Sequence, residues 1–141
     1  MSVVIDEQYV RNHFERYCHY DRAGFFALIS PTVHLRLMGS IPELSGDYHS
    51  ADEFQTKVLG RIVARLDGKM TVKLTSCIVS GQQAAVEMIT NVDSVKQKNG
   101  RPLPNVYCWV AHYDESGVVD TMRLYVDGVL INELMTNNPG P

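Results

Sequence analysis

The stretch NVYCWVAHYDESGVVDTMRLYVDG, residues 105–128, decides the fold because it contains two long alternating runs on either side of Ser116-Gly117. A short turn that contains glycine between two alternating runs predicts a pair of antiparallel strands. Two more alternating runs precede it, MTVKLTSCIVS at 70–80 and QAAVEMITNVDSV at 83–95. Everything after Gly68 is therefore predicted to form an antiparallel sheet.

The beginning of the chain has helical spacing instead. Apolar residues recur at helical intervals from Asp6 to about Tyr20, which predicts an amphipathic first helix. The segment RAGFFALI, residues 22–29, predicts a short second helix that Asp21 caps. Ser30-Pro31 ends this helix because the residue before a proline avoids the helical region.

A first strand and a third helix follow before the sheet. TVHLRLMG, residues 32–39, alternates between apolar and polar side chains as a half-buried strand does. Ser50 followed by Glu53 is a capping-box pair, and it opens an apolar pattern that predicts a helix to about Leu66. Helices early in the chain and strands late predict an α+β fold, with the helices on one face of a curved antiparallel sheet.

Composition narrows the class of protein. The chain has 141 residues, which predicts a single domain over 1–135 with a flexible tail at 136–141. A net charge of -3 without a basic cluster argues against nucleic acid as a partner. There is no secretory signal pattern and no run of about 18 apolar residues, so we expect a cytoplasmic protein that does not span a membrane. The three cysteines form no C-x-x-C pair, which favours reduced thiols.

Four segments resemble a known family. They are DRAGFFALISPTVHLRLMG (21–39), SGDYHS (45–50), AAVEMIT (84–90) and GVVDTMRLYVD (117–127). They resemble the SnoaL-like polyketide cyclases and ketosteroid isomerases of the nuclear transport factor 2 (NTF2)-like superfamily, with the closest likeness to fungal isomerases and cyclases of terpenoid and polyketide pathways. The resemblance implies a cone in which three N-terminal helices pack on a strongly curved antiparallel sheet. It also implies a cofactor-free acid/base site inside the cone, and a homodimer.

The resemblance assigns the catalytic role to the last predicted strand. Arg123, Tyr125 and Asp127 alternate on one face, and we expect them to face the cavity. Asp127 would then be the acid or base, because SnoaL-like cyclases carry a catalytic aspartate on this strand. Burial in an apolar cavity raises the pKa of a carboxyl group toward the range that suits proton transfer. An exposed strand with its polar face in water is the alternative.

Two other titratable residues are candidates for the same chemistry. Glu87 lies within the apolar run AAVEMIT, so it is either a second cavity carboxylate or a residue of a solvent-exposed face. His34 exchanges protons near neutral pH and shares a strand face with Arg36 and Met38. A structural histidine is the alternative for His34.

Aromatic and polar side chains supply candidates for substrate binding. Asn105, Tyr107 and Trp109 share one face of the strand that begins the opening stretch, and Tyr17 matches the place where ketosteroid isomerases carry a tyrosine. With Arg123, Tyr125 and Met38 they form the predicted substrate-binding set. Packing in the hydrophobic core is the alternative for each aromatic side chain.

Other kinds of site lack the sequence patterns that they need. The chain has no metal-ligand spacing, no Gly-rich phosphate loop and no G-x-S-x-G segment, so no cofactor is indicated. We therefore expect a cofactor-independent isomerase or cyclase that acts on a hydrophobic polyketide- or terpenoid-like intermediate. The alternatives are a non-catalytic binding or dimeric interaction module of the same fold, and an epoxide hydrolase or dehydratase in the same cavity.

Overall fold

Side-chain caps fix where the first two helices begin. The computed structural model describes residues 2–141, and in it α1 spans Glu7–Cys18 and α2 spans Arg22–Phe26. The carboxylate of Asp6 accepts a hydrogen bond from the Tyr9 amide, and that of Asp21 accepts one from the Gly24 amide. Each bond satisfies an amide that the first helical turn leaves without a partner.

The predicted third helix begins at its capping box but is interrupted. The Ser50 hydroxyl accepts from the Glu53 amide, and the Glu53 carboxylate accepts from the His49 amide. The helical segment consists of α3 (Ala51–Phe54), one π-helical turn (Gln55–Leu59) and α4 (Gly60–Val63). It ends before Leu66, because Leu66–Gly68 forms strand β3 and not a helix end.

Six strands form the main sheet. In chain order they are β1 (Ile29–Leu37), β2 (Gly46–Tyr48), β4 (Val72–Ser80), β5 (Gln83–Thr90), β7 (Val106–Tyr113) and β8 (Val119–Val126). Their order in the sheet is β2-β1-β8-β7-β5-β4. Strand β1 runs parallel to β8, while the other neighbours are antiparallel, so the sheet is mixed. The α+β architecture is confirmed.

A second, two-stranded sheet was not expected. The predicted run at 83–95 divides into β5 and a separate strand β6 (Val95–Gln97), which pairs with β3. Register shifts occur in three pairs of the main sheet, β1 with β8, β4 with β5 and β7 with β8. Such irregularities bend strands and increase their twist, which curves the sheet around the helices.

The core lies between the helices and the inner face of the main sheet. Trp109 on β7 is fully buried and packs against rings from the helices, with centroid distances of 6.3 Å to Phe14, 5.9 Å to Tyr17 and 5.7 Å to Phe25. A fourth ring, Phe54, lies 6.2 Å away. Edge contacts between such rings stabilise the packing beyond the area that they bury.

A C-terminal helix follows β8. The Asp127 carboxylate accepts from the Leu130 amide at 3.1 Å and caps α5 (Gly128–Asn137). Ile131 and Leu134 are the buried side chains of this helix. Apolar residues after Gly128 have helical spacing in the sequence, but Asp127-Gly128 was interpreted as the end of a strand. No helix within 2–141 is both long enough and apolar enough to cross a membrane.

The segment after α5 is held by buried polar contacts. Asn138 is 2% exposed, and its side-chain amide donates to Gln97 Oε1 at 2.9 Å and accepts from the Asn99 amide. Arg65 donates to the carbonyl oxygens of Asn138 and Gly140. Residues 138–140, which were predicted to lie in a flexible tail, therefore contact the β3–β6 region.

One buried histidine joins α1 to the sheet. His13 is fully buried; its Nε2 lies 2.8 Å from the carbonyl oxygen of Phe25, and its Nδ1 lies 2.8 Å from the Tyr113 hydroxyl. A carbonyl oxygen only accepts, so Nε2 carries the proton and Nδ1 accepts from Tyr113. Burial lowers the pKa of His13 to about 4, because the protonated imidazole would lose its hydration.

We expect this histidine to make the fold sensitive to acid. Its pKa is lower in the folded state than in the unfolded state, so the stability that it contributes is complete above about pH 6.5 and is lost as the pH falls toward about 4. Between about pH 7.5 and about pH 5 this loss should be about 2 kcal/mol. Urea denaturation of the wild type and of His13→Gln measures it. The glutamine variant should lack this part of the pH dependence, and identical profiles would contradict the assignment.

Candidate functional site

A cavity lies between the inner face of the sheet and the helices. Its volume is about 30 Å³, which is room for about two water molecules. Most of its lining side chains are apolar, and they are Leu37, Val58, Leu59, Ile62, Val63, Met70, Leu103, Leu124, Val126 and Ile131. Every layer of the fold contributes to the wall, and Ile131 comes from the C-terminal helix.

Four polar side chains also line this cavity. They are the phenols of Tyr17 and Tyr107, the amide of Asn105 and the guanidinium of Arg22. None of the lining residues carries a carboxylate or an imidazole. The site can therefore donate hydrogen bonds and place a positive charge, but it contains no side chain that is an ordinary base.

Tyr107 is held in place by two partners. Its hydroxyl lies 3.1 Å from Thr90 Oγ1 and 3.2 Å from Met70 Sδ. A thioether only accepts, so in this arrangement Tyr107 donates to Met70 and accepts from Thr90. Burial raises the pKa of the Tyr107 phenol, and hydrogen bonds to the side chains of Thr90 and Asn105 offset part of that effect. Tyr107 therefore stays protonated at neutral pH.

The Tyr17 hydroxyl forms no hydrogen bond with any group within residues 2–141. The side chain is only 5% exposed and packs against Trp109 and Phe25. Burial raises the pKa of the Tyr17 phenol, the neighbouring Tyr107 raises it further, and the positive charge of Arg22 offsets part of the effect. A protonated hydroxyl without a partner in an apolar cavity is ready to donate to a ligand.

Asn105 links the cavity to the start of α5. Its Oδ1 accepts from the Asp127 amide at 3.2 Å, and the residue is 1% exposed. Asn105, Tyr107 and Trp109 share one face, as predicted, and the structure shows that it is the inner face. Trp109 nevertheless belongs to the aromatic core and does not line the cavity. Its indole nitrogen has no hydrogen-bond partner among the described residues.

The prediction that Asp127 faces the cavity is wrong. Its side chain is exposed, and its carboxylate caps α5 at the edge of an open surface groove. Strand β8 turns Met122 and Leu124 inward, so the residues between them must point outward. Arg123 and Tyr125 accordingly lie on the outer face, with Arg123 Nε 3.4 Å from the Tyr125 hydroxyl.

The two other predicted titratable residues also lie outside. Glu87 is exposed on the outer face of β5, where its neighbour across the strand pair is Cys108 on β7. His34 is exposed on the outer face of β1, and its Nε2 lies 2.8 Å from Asp47 Oδ1. Neither residue faces the cavity, because the larger apolar set of each strand takes the inner face. For Glu87 this is the solvent-exposed alternative. Met38 is half-buried and lines the surface groove beside Asp127.

Comparisons with known proteins agree with this architecture. No protein-family model matches the chain. The dimerizing cyclase tstC of Talaromyces stipitatus is 28% identical over 119 residues, which are 84% of this chain and 52% of that protein. The match thus spans about half the length of this relative. An NTF2-like protein from Burkholderia thailandensis superposes with a TM-score of 0.74 and 25% identity, covering 92% of this chain and 95% of the other.

This chain has the NTF2-like fold. An LEH-like epoxide hydrolase from M. tuberculosis shares the fold with a TM-score of 0.62 and 14% identity, over 94% of this chain and 90% of the other.

Two parts of this NTF2-like site were missed by the sequence analysis. Arg22 opens a helix of five residues, which is too short for a periodic pattern to show which way a side chain faces. Thr90 and Met70 are partners of Tyr107, and neither was a candidate because each comes from the end of a strand or from a loop. Over residues 2–141, no three His, Cys, Asp or Glu side chains are grouped so as to hold a metal ion.

The two phenols should respond differently to loss of the hydroxyl. Tyr107→Phe should lower the free energy of unfolding by about 1 kcal/mol, because Thr90 loses its partner in a buried environment. Tyr17→Phe should change it by less than about 0.5 kcal/mol, because no protein partner is lost. Urea denaturation of both variants checks this. Equal losses would show that the Tyr17 hydroxyl is hydrogen-bonded within the protein.

Proposed function

We propose that this protein is a cofactor-independent cyclase or isomerase whose reaction takes place in the cavity described above. The observation that carries the proposal is the convergence of two protonated phenols, one amide and one guanidinium on an otherwise apolar space. The substrate class that fits is a hydrophobic polyketide- or terpenoid-like intermediate. The cyclase relative supports the same reaction class.

The polar groups suit an oxygen that becomes negatively charged. When a carbon next to a carbonyl group loses its proton, or when a carbon nucleophile adds to that carbonyl, charge develops on the oxygen. Fixed hydrogen-bond donors in a water-poor site stabilise such charge strongly. Tyr17 is placed to donate to it, Tyr107 can donate once its proton leaves Met70, and Asn105 adds an amide on the same wall.

The cavity lining has no side chain that readily accepts a proton, which favours a substrate with an acidic C–H group. A phenol with a raised pKa holds its proton at neutral pH and is a poor base. Chains with two carbonyl groups flanking one carbon lose that proton readily, and polyketide intermediates are of this kind. In this proposal water takes up that proton and later returns one to the product, and the protein folds the chain and stabilises the enolate. Asp127, Glu87 and His34 take no part.

Substrate entry requires movement of the wall. A cavity of about 30 Å³ is smaller than such a substrate. Ile131 is the contribution of α5 to the lining, and α5 buries only Ile131 and Leu134. A displacement of this helix would enlarge the cavity without disturbing the main sheet. Local opening of an element with few buried contacts costs less free energy than global unfolding.

The small cavity also favours a second candidate function. A non-catalytic interaction module of this fold does not need an open cavity, and this cone is nearly filled. The epoxide hydrolase alternative has less support, since it would need a carboxylate relay and no carboxylate is part of the lining. A measurement of turnover distinguishes the cyclase or isomerase from the non-catalytic module.

The test of function uses the metabolite that accumulates when the gene is deleted in its host. Purified protein should convert it to a product of equal mass or to one that has lost water, as mass spectrometry can follow. Tyr17→Phe should lower kcat by about 10-fold to about 100-fold, since one donor to the developing charge is lost. Asp127→Asn, which preserves the helix cap, should keep the wild-type rate. Binding of the metabolite without turnover would favour the binding module.

We further propose that the outer face of the sheet binds a second copy of the chain. Ile78, Ile89, Val106 and Tyr125 are apolar or aromatic side chains exposed on this face. Arg36 and Arg123 are neighbours in the register of β1 and β8, and neither forms an ion pair within residues 2–141. A two-fold axis parallel to β7 would bring Arg123 of one copy toward β5 of the other, which carries Glu87.

The dimer has a direct test. Val110 lies between Ala85 and Arg123 in the sheet register and points outward. Val110→Arg should leave the fold intact but convert a dimer into a monomer of 15.9 kDa, because it adds a third positive charge to the interface. Sedimentation velocity measures this. Val129→Arg, at an exposed position on α5, is the matched control and should remain dimeric. A monomeric wild type would refute the interface.

A further inference from the structure

Two cations gather around one aromatic ring beside the cavity. The guanidinium carbon of Arg22 lies 5.4 Å from the centre of the Tyr20 ring, and Lys69 Nζ lies 5.9 Å from the same centre. Arg22 lines the cavity, and Lys69 directly precedes Met70, which also lines it. We call Tyr20, Arg22 and Lys69 the cationic rim.

The charge of this rim is not neutralised by the protein. The ion pairs within residues 2–141 include neither Arg22 nor Lys69. Two other arginines have protein partners: Arg61 pairs with Glu43, and Arg65 donates to four backbone carbonyls. Arg22 is half-buried, and its guanidinium donates no hydrogen bond to any described residue. A guanidinium that is partly removed from water without a partner costs free energy.

Arg22 brings part of this positive charge to the cavity. Arg22 shares the cavity lining with Tyr17 and Tyr107. It acts on both, because its positive charge lowers the pKa of each phenol against the larger effect of burial. One end of the cavity therefore carries positive charge, while the walls formed by Leu124, Val126 and Ile131 are apolar.

From this arrangement we infer the substrate class. The ligand is an apolar molecule with one anionic group of the carboxylate kind, which Arg22 binds at the cationic rim while the apolar part enters the cavity. The inference rests on the proposed function for the use of the cavity, and it adds the charge and orientation of the molecule that enters. A planar guanidinium matches a carboxylate through two parallel hydrogen bonds, and Lys69 adds attraction at longer range.

A pair of matched probes tests the charge preference. The fluorophores 8-anilinonaphthalene-1-sulfonate and N-phenyl-1-naphthylamine share one ring system, and the first carries a sulfonate that stands in for the carboxylate. Trp109 is the single tryptophan, so energy transfer from it reports a probe bound near the core. The wild type should bind the sulfonate probe more tightly than the neutral probe. Arg22→Gln should weaken binding of the sulfonate probe by about 10-fold or more and change the affinity for the neutral probe by less than about twofold.

Control variants separate recognition from structural damage. Arg22→Lys should restore part of the affinity, and Arg123→Gln, on the outer face, should bind both probes as the wild type does. Added salt should weaken the binding of the sulfonate probe and leave the binding of the neutral probe unchanged. Equal loss of both probes in Arg22→Gln, or equal binding of both by the wild type, would overturn the inference.

The same measurements distinguish this inference from the proposed function. Tight binding of the neutral probe without any charge preference would leave an apolar site intact and refute only the role of Arg22. Turnover of an uncharged metabolite would do the same. If the wild type binds neither probe, both the inference and the use of the cavity for ligands are refuted.

Discussion

The alternation of β8 is the constraint on which the rest of the site depends. This strand is held on both sides, parallel to β1 and antiparallel to β7, so it cannot rotate or slip by one residue. Because Leu124 packs inward, Arg123 and Tyr125 must point outward. The polar chemistry of the cavity must then come from other elements. It comes from α1 with Tyr17, from α2 with Arg22 and from β7 with Tyr107.

The sequence predicted the architecture better than the orientation of the polar side chains. Alternation placed the strands, capping residues placed the helices, and Asn105, Tyr107 and Tyr17 do line the cavity. The error at Asp127, Glu87 and His34 has one physical cause. A two-residue period defines two faces, and which face is buried follows from the apolar area that each presents. The resemblance to a family with a catalytic aspartate led the prediction to the opposite face.

The C-terminal helix was missed for a related reason. Asp127 followed by Gly128 was interpreted as the end of a strand, although aspartate is also a preferred residue at a helix N-terminus. The later apolar residues at 130, 131 and 134 have helical spacing, and the structure buries Ile131 and Leu134. The residue expected to transfer a proton therefore begins the helix that closes the cavity. Buried contacts of Arg65 and Asn138 are long-range, so no local pattern could reveal them.

The π-helical turn at Gln55–Leu59 influences which side chains of its helical segment face the cavity. Its hydrogen bond from the Gly60 amide to the Gln55 carbonyl spans five residues, one more than an α-helical bond. Val58 and Leu59 precede this point, while Ile62 and Val63 follow it, and all four line the cavity. Deleting one residue here would restore regular α-helical bonding, tighten this turn and shift its side chains relative to the cavity. The shape of the cavity thus depends on the number of residues in this segment as well as on its side chains. Loss of a single codon during evolution could therefore change the cavity.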